Sequence, residues 1–437
     1  MMKKVVKFGG SSLADAGQFR KVAAIILSDP SRVYVVPSAP GKRFKGDTKI
    51  TDLLLRCHET AQKGGDWESV LSEVKDRYFA IRSELGLRSP LEEEFALIEE
   101  HLRLGTTIDY VASRGEYLNG ILLAEFLEYE FIDAAKLIWF DENGKYDVAR
   151  TRQEFERVMN GREHVVIPGF YGARPDGSVK TFSRGGSDIT GAIVSQVVNA
   201  DMYENWTDVS GFLTTDPGIV PNPHPIHTIT YRELRELSYM GATVLHAESI
   251  FPVKEAGIPI NIRNTNDPDA PGTMIVAHAG QDPDGDVITG IAGRKGYVVI
   301  RIEKDMMNEE VGFACRVLDV LRSFDISFEH LPSGIDTMCV VIAAKEVEGR
   351  ESDILNAISR AVNPDFICMD RGLALIAVVG RGMRNMTGTA SRVFSAVADA
   401  GVNISMIDQG SSEMNIIMGI REEDFDKTIQ NIYNAFY

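Results

Sequence analysis

The chain has 437 residues, 44% of them hydrophobic and 25% charged, enough for two or three domains with full cores. Its 46 basic residues face 63 acidic ones, and the formal net charge of −17 disfavours nonspecific binding to nucleic acid, which needs Lys and Arg to neutralise phosphates. Four widely spaced cysteines, Cys57, Cys315, Cys339 and Cys368, make no C-x-x-C pair and read as reduced thiols, and no apolar run approaches a membrane span; the chain is expected in the cytoplasm with no membrane partner.

In chain order, Val5 and Val6 end a short apolar strand that runs into Lys7-Phe8-Gly9-Gly10-Ser11-Ser12, and a helical pattern follows over residues 15–27. Adjacent glycines let backbone N–H groups crowd one anion, the following helix adds the positive end of its dipole, and Lys7 adds a full charge. The same stretch also suits an ordinary tight turn. It is neither a Walker A loop nor a dinucleotide G-x-G-x-x-G, so a nucleotide reading needs a different kinase architecture.

Short apolar runs at residues 33–36, 165–168, 202–206 and 260–263 alternate with amphipathic segments, which predicts an α/β domain with a parallel-rich sheet covered by helices on both faces. Helical character dominates residues 51–131, where Ser89-Pro90-Leu91-Glu92-Glu93-Glu94 reads as a Ser cap, a Pro at the first helical position and an acidic first turn. Ser113-Arg114-Gly115-Glu116 opens another helix; Glu116 there is either a first-turn charge or a receiver for a substrate ammonium. A second glycine-rich loop, Ser183-Arg184-Gly185-Gly186-Ser187-Asp188, precedes an apolar helix. Its Arg suits a substrate carboxylate, and Asp188 is either a helix cap or a group that orients a lysine beside Mg²⁺-bound phosphate. Trp206-Thr207-Asp208-Val209 ends a strand, where open α/β sheets bind ligands, and leads to Thr214-Thr215-Asp216-Pro217, which turn chemistry alone can also explain. His224 and His227 lie among prolines and read as a loop rather than a metal pair.

Turn-rich stretches at residues 267–272 and 281–286 mark a domain boundary. Beyond it, residues 312–342 align without a gap onto 388–418, with 6 of 31 positions identical, among them Gly312/Gly388, Arg316/Arg392 and Gly334/Gly410. Each copy reads as a helix, a strand, a turn and a strand. Two such α+β modules after a larger α/β domain suggest ligand sensing, with a dimerising scaffold as the alternative.

With these loops in this order, and Gln409-Gly410-Ser411-Ser412-Glu413 in the second repeat, the chain resembles the aspartate kinases along essentially its full length. These are enzymes of the amino acid kinase fold followed by two ferredoxin-like ACT domains. The resemblance implies a catalytic domain over 1–287 and ACT modules over 288–363 and 364–437, which can be intertwined or nested. It implies ATP and Mg²⁺ as cofactors, with phosphates against Lys7, Gly9, Gly10 and Ser11 and the rest of the nucleotide near Thr207, Asp208, Asp216 and Lys254. For L-aspartate it implies Arg184 on the α-carboxylate, Glu116 on the amino group, and Ser38, Thr51, Phe170 and Ser187 lining the site, with Asp188 positioning Lys7. Leu213 and Gly218 depart from the family pattern, and residues 40–50 are longer and more basic than usual. The product would be 4-phospho-L-aspartate, in the first step of lysine, threonine and methionine biosynthesis; the rivals are another amino acid kinase, such as glutamate 5-kinase, and a non-enzymatic amino-acid sensor, against which the intact Lys7, Gly9-Gly10 and Asp188 speak. The ACT resemblance implies feedback by lysine and/or threonine through Ser327, Phe328, Glu329, Ser333, Gly334 and Asp336, and a homodimer or dimer of dimers.

Overall fold

The computed structural model describes residues 2–183, 185–241, 245, 250–279, 287–384 and 386–437. The chain divides into two compact units, one of residues 1–212, 227–231 and 244–279, the other of 213–226, 232–243 and 280–437. The turn-rich stretch 281–286 lies outside the described residues.

The first unit holds β1 (Lys4–Phe8), α1 (Ala16–Leu27), β2 (Arg32–Pro37), α2 (Ile50–Gln62), α3 (Trp67–Leu85), α4 (Leu91–Leu104), α5 (Ile108–Leu127), β3 (Glu130–Phe131), α6 (Val148–Met159) and β4 (Val165–Val166). A hairpin, β5 (Tyr171–Ala173) with β6 (Val179–Thr181), follows, then α7 (Gly186–Val197), β7 (Met202–Thr207), β8 (Thr228–Thr230), α8 (Tyr231–Tyr239), α9 (Phe251–Ala256), β9 (Ile260–Asn264) and β10 (Thr273–Val276). Only the first residue of α8 belongs to this unit; the rest of that helix belongs to the second. Among the described residues the sheet runs β3-β4-β2-β1-β7-β9-β10-β8, parallel except where β10 meets β9. Every residue of β2 is buried, and so are Val5, Val6 and Phe8, because both faces of a parallel sheet are covered. Asp15 caps α1 by accepting the Gln18 amide at 2.9 Å, and Phe19, Val22, Ile25 and Ile26 form its buried stripe.

One expected cap is different. Pro90, not Ser89, takes the cap position of α4, without a side-chain bond, because Glu125 of α5 binds the Arg88 amide at 2.7 Å, the Ser89 amide at 2.8 Å and the Ser89 hydroxyl.

The second unit contains β11 (Gly290–Glu303), α10 (Phe313–Ser323), β12 (Thr337–Ala343), α11 (Ala344–Val347), α12 (Glu351–Val362), β13 (Phe366–Val379), α13 (Thr389–Asp399), β14 (Met406–Asp408), β15 (Asn415–Arg421) and α14 (Phe425–Phe436). One antiparallel sheet, in the order β12-β11-β13-β15-β14, carries two separate cores. Val298, Ile300 and Ile302 from the far half of β11 pack with α10 and α12, whereas Ile291 from its near half joins Ile376 and Val378 of β13 and the buried faces of α13 and α14. The repeated Gly312 and Gly388 have a plain reason: each caps its helix with φ of 78° and 92°, a left-handed backbone that side chains resist. In the first repeat the strand expected after α10 is reduced to isolated bridges, His330 with Val341 and Ser333 with Met338, while the second repeat keeps β14 there.

Candidate active site

The register of the central strands builds the first part of the site. Lys7 of β1 stands directly opposite Asn205 of β7, so both side chains emerge on the same face. The Lys7 ammonium lies 2.6 Å from Asp188 Oδ1 and donates to Asn205 Oδ1 at 3.3 Å, and Asn205 Nδ2 donates to Asp188 Oδ1 at 2.8 Å. Asp188 sits in the first turn of α7, where the helix dipole favours its negative charge; the cap itself is Gly185, with φ of 56° and no side-chain bond. The opposite face of the same strands is structural: Phe8 stacks on Trp206 with centroids 5.9 Å apart, and buried Glu204 takes the Arg32 guanidinium at 2.8 Å and the Trp206 indole N–H at 2.9 Å.

The glycine loop after β1 is tightly held. Gly9 donates to Trp206 O at 2.9 Å, and Gly41 donates to Gly10 O at 2.7 Å. A Cβ on Gly10 would lie 2.8 Å from Ala39 O, and one on Gly41 would lie 2.6 Å from Gly10 C, so these two strand-end loops touch backbone to backbone. Beside them opens a cavity of about 450 Å³ lined by Gly9, Gly10, Ser11, Ser38, Thr51, Glu116, Thr207 and Asp208, together with residues 39–42 and Lys49. Eight of the sequence-predicted positions therefore meet around one space, at the C-terminal ends of β1, β2 and β7.

Glu116 is the most perturbed acid of this cavity. It lies on α5 where Gly115 lets the helix approach Ala39, and a Cβ at Gly115 would come within 2.8 Å of the Ala39 side chain. Burial pushes its carboxyl up to about 8, with weaker opposition from the backbone amides of Ala39 and Glu116 and from the Arg114 guanidinium. Its Oε2 is buried and has no hydrogen-bond partner among the described residues. Arg114 turns away and lies over the rings of Tyr110, Tyr117 and Tyr171.

Phe170 and Ser187 come together at the start of α7. Phe170 holds a left-handed backbone, φ 82°, and its ring fills the space where a Cβ on Gly186 would lie only 2.3 Å away. Its amide donates to Thr190 Oγ1 at 3.0 Å. Gly169 packs against Ser187 in the same way. Arg184 lies outside the described residues.

Two nucleotide assignments are not among the residues that line the cavity. Lys254 is exposed on α9 and is not among the residues that line it. Asp216 belongs to the second unit, where its Oδ1 accepts the Gly218 amide at 2.7 Å and closes a turn. In that unit Ser327, Phe328, Ser333, Gly334 and Asp336 are exposed, the Tyr239 hydroxyl donates to Glu329, and Asp336 Oδ1 accepts the Met306 amide at 2.9 Å.

Residues 2–264 match the model of the amino acid kinase family, and residues 376–436 match a model of the ACT domain. Aspartokinase 3 of Bacillus subtilis is 40% identical over 449 residues, spanning 99% of this chain and 98% of that protein. The chain belongs to the aspartokinase family. A crystal structure of Clostridium acetobutylicum aspartate kinase, described as an allosteric enzyme, shares 49% identity at a TM-score of 0.92 and covers 100% of both chains. Aspartokinase III of Escherichia coli, solved in complex with aspartate and ADP, superposes at a TM-score of 0.77 with 26% identity over 99% of each chain.

In this aspartokinase, sequence reasoning passed over Asn205, Lys42 and Lys49. Asn205 sits inside an apolar strand, and only its register opposite Lys7 exposes its role. The lysines lay in the basic stretch of residues 40–50, which is the signal that could have found them.

Proposed function

We propose that this aspartokinase transfers the terminal phosphoryl group of ATP to the side-chain carboxylate of L-aspartate, giving ADP and 4-phospho-L-aspartate. The observation that carries the residue assignment is the cavity in which the glycine loop faces the buried, partnerless carboxylate oxygen of Glu116. The phosphates lie against Gly9 and take the loop amides of Gly10 and Ser11, Lys7 takes the transferred group, and Asp188 with Asn205 holds the Lys7 ammonium in place. Glu116 takes the ammonium of aspartate, with Ser38, Thr51, Phe170 and Ser187 around the substrate and Arg184 on its α-carboxylate. Thr207 and Asp208 border the nucleotide. For Lys254 and Asp216 on the nucleotide the support is the family resemblance alone.

The acceptor carboxylate, with a pKa of about 3.9, is ionised at neutral pH and needs no general base. Lys7 is therefore assigned to charge, not proton transfer, and the work of the site is to hold two anions in line. The nucleotide enters as its Mg²⁺ complex, whose cation offsets phosphate charge.

The second unit is read as two ACT modules, nested, with the near half of β11 serving the C-terminal module. Feedback by lysine and/or threonine through Ser327 to Asp336, and pairing of these modules into a homodimer or dimer of dimers, complete the proposal. Its support is the family resemblance and the E. coli aspartokinase III structure described in complex with lysine and aspartate. Steady-state ADP release with aspartate and with glutamate, each without effector and with lysine, threonine or both, tests it. Aspartate-dependent release that lysine or threonine suppresses is expected, and glutamate-dependent release alone would replace the substrate assignment.

A further inference from the structure

Lys7 brings its charge to the site already engaged, 2.6 Å from Asp188 and bonded to Asn205. Driving a carboxylate toward the terminal phosphate of ATP sets anion against anion, and cations within a few ångströms must offset the repulsion. Two lysines, Lys42 and Lys49, line the cavity that holds Gly9, Gly10, Ser11 and Glu116. Among the described residues neither has an ion-pair or hydrogen-bond partner for its ammonium.

The root of Lys42 is fixed. The preceding residue, Gly41, donates its amide to Gly10 O at 2.7 Å. Residues 40–50 form a closed loop: Arg43 clamps Asp47 through Nε at 2.8 Å and a terminal nitrogen at 3.0 Å, and the Ile50 amide donates to Pro40 O at 3.2 Å. From beneath, buried Arg77 of α3 donates to Gly41 O at 2.6 Å, to Thr48 O at 2.9 Å and to Ala14 O at 3.2 Å. Arg77 and Arg43 spend their charge holding this loop, and Lys42 is left with a free ammonium one residue from the contact with the glycine loop.

We propose that Lys42 contacts the terminal phosphate of ATP, supplying from the loop of residues 40–50 a second cation beside Lys7, whose charge is partly offset by Asp188. A lysine suits this task because its compact charge on a flexible stem can follow the phosphoryl group as it moves. The proposal rests on the kinase reading above, and nucleotide binding separates the two. Dissociation constants for ATP and ADP, each with Mg²⁺, are measured on the full chain for the wild type, Lys42→Ala and Lys42→Arg, beside steady-state kinetics with aspartate.

Lys42→Ala is expected to weaken ATP about tenfold, the scale of one charged contact, to change ADP by less than about twofold, and to lower kcat/KM for ATP at least as far as its affinity. Lys42→Arg should recover most of both. Equal weakening of ATP and ADP, or unchanged ATP binding and turnover in Lys42→Ala, overturns the assignment. Should Lys42→Ala fold poorly, Lys42→Gln keeps the side-chain stem and carries the same comparison. A wild-type chain that binds ATP yet phosphorylates no aspartate would remove the substrate reading, and the ATP-over-ADP difference would still decide Lys42.

Discussion

At the residue scale, the proposed site divides its electrostatic work between Glu116 and Lys7. Burial raises the Glu116 carboxyl from its ordinary 4.5 to about 8, so over that window the folded chain holds a proton that the unfolded chain has lost. By linkage its contribution to stability falls as pH rises from about 4.5 to about 8, and Glu116→Gln should flatten that part of the melting-temperature profile of the free protein. A substrate ammonium favours the ionised form, so aspartate binding at pH 7 should release close to one proton. Calorimetry in buffers of different ionisation enthalpy measures this, and the release should vanish in Glu116→Gln; release that persists would take Glu116 off the ammonium. Lys7→Ala should lower turnover at least 100-fold, roughly the loss of a transition-state charge contact, with little change in aspartate affinity. The motifs around Lys7, Ser11, Glu116, Thr207 and Asp208 were readable because glycines and lone charges stand out against apolar strands. Asn205 was not, since a residue within a strand acquires a role only from the residue opposite it.

At the scale of elements, the site depends on close approaches rather than on helix or strand propensity. The loop after β1 meets the loop after β2 through Gly10 and Gly41, and α5 reaches Ala39 through Gly115. Arg77 then ties three carbonyl groups of the surrounding loops to α3, and burial draws its guanidinium below the usual range, although not enough to discharge an arginine. Arg77→Ala should cost roughly 3 kcal/mol, because buried carbonyls lose their donor, and should weaken ATP binding as residues 40–50 come loose. Chemical denaturation together with nucleotide titration tests both, and a destabilised variant with unchanged ATP affinity would confine Arg77 to stability. In the sequence Arg77 is one more charge in a long helical stretch, and nothing local distinguishes it from its exposed neighbours.

On the scale of the whole molecule, the continuous strands β11 and β13 decide how the second unit can be cut. β11 pairs with β13 from Gly290 with Val379 to Glu303 with Phe366, so the same two strands serve both cores. A chain ending at residue 363 would keep β11, lose its central partner and expose Ile288 and Ile291; it should aggregate or lose protection of residues 288–303, as read by size-exclusion chromatography and limited proteolysis. A soluble, protease-resistant product with that ending would argue for modules that fold in sequence. The amino-acid sequence by itself determined the α/β catalytic class, the repeat that follows it, and the glycine-rich loops proposed for phosphate and substrate, because hydrophobic period and glycine placement are local signals. Tertiary structure alone decided that Asn205 joins Lys7 and Asp188, that Lys42 borders the glycine loop, and that β11 is shared between two cores. Those facts depend on strand register and on backbone contacts between residues far apart in the chain, which no local pattern encodes.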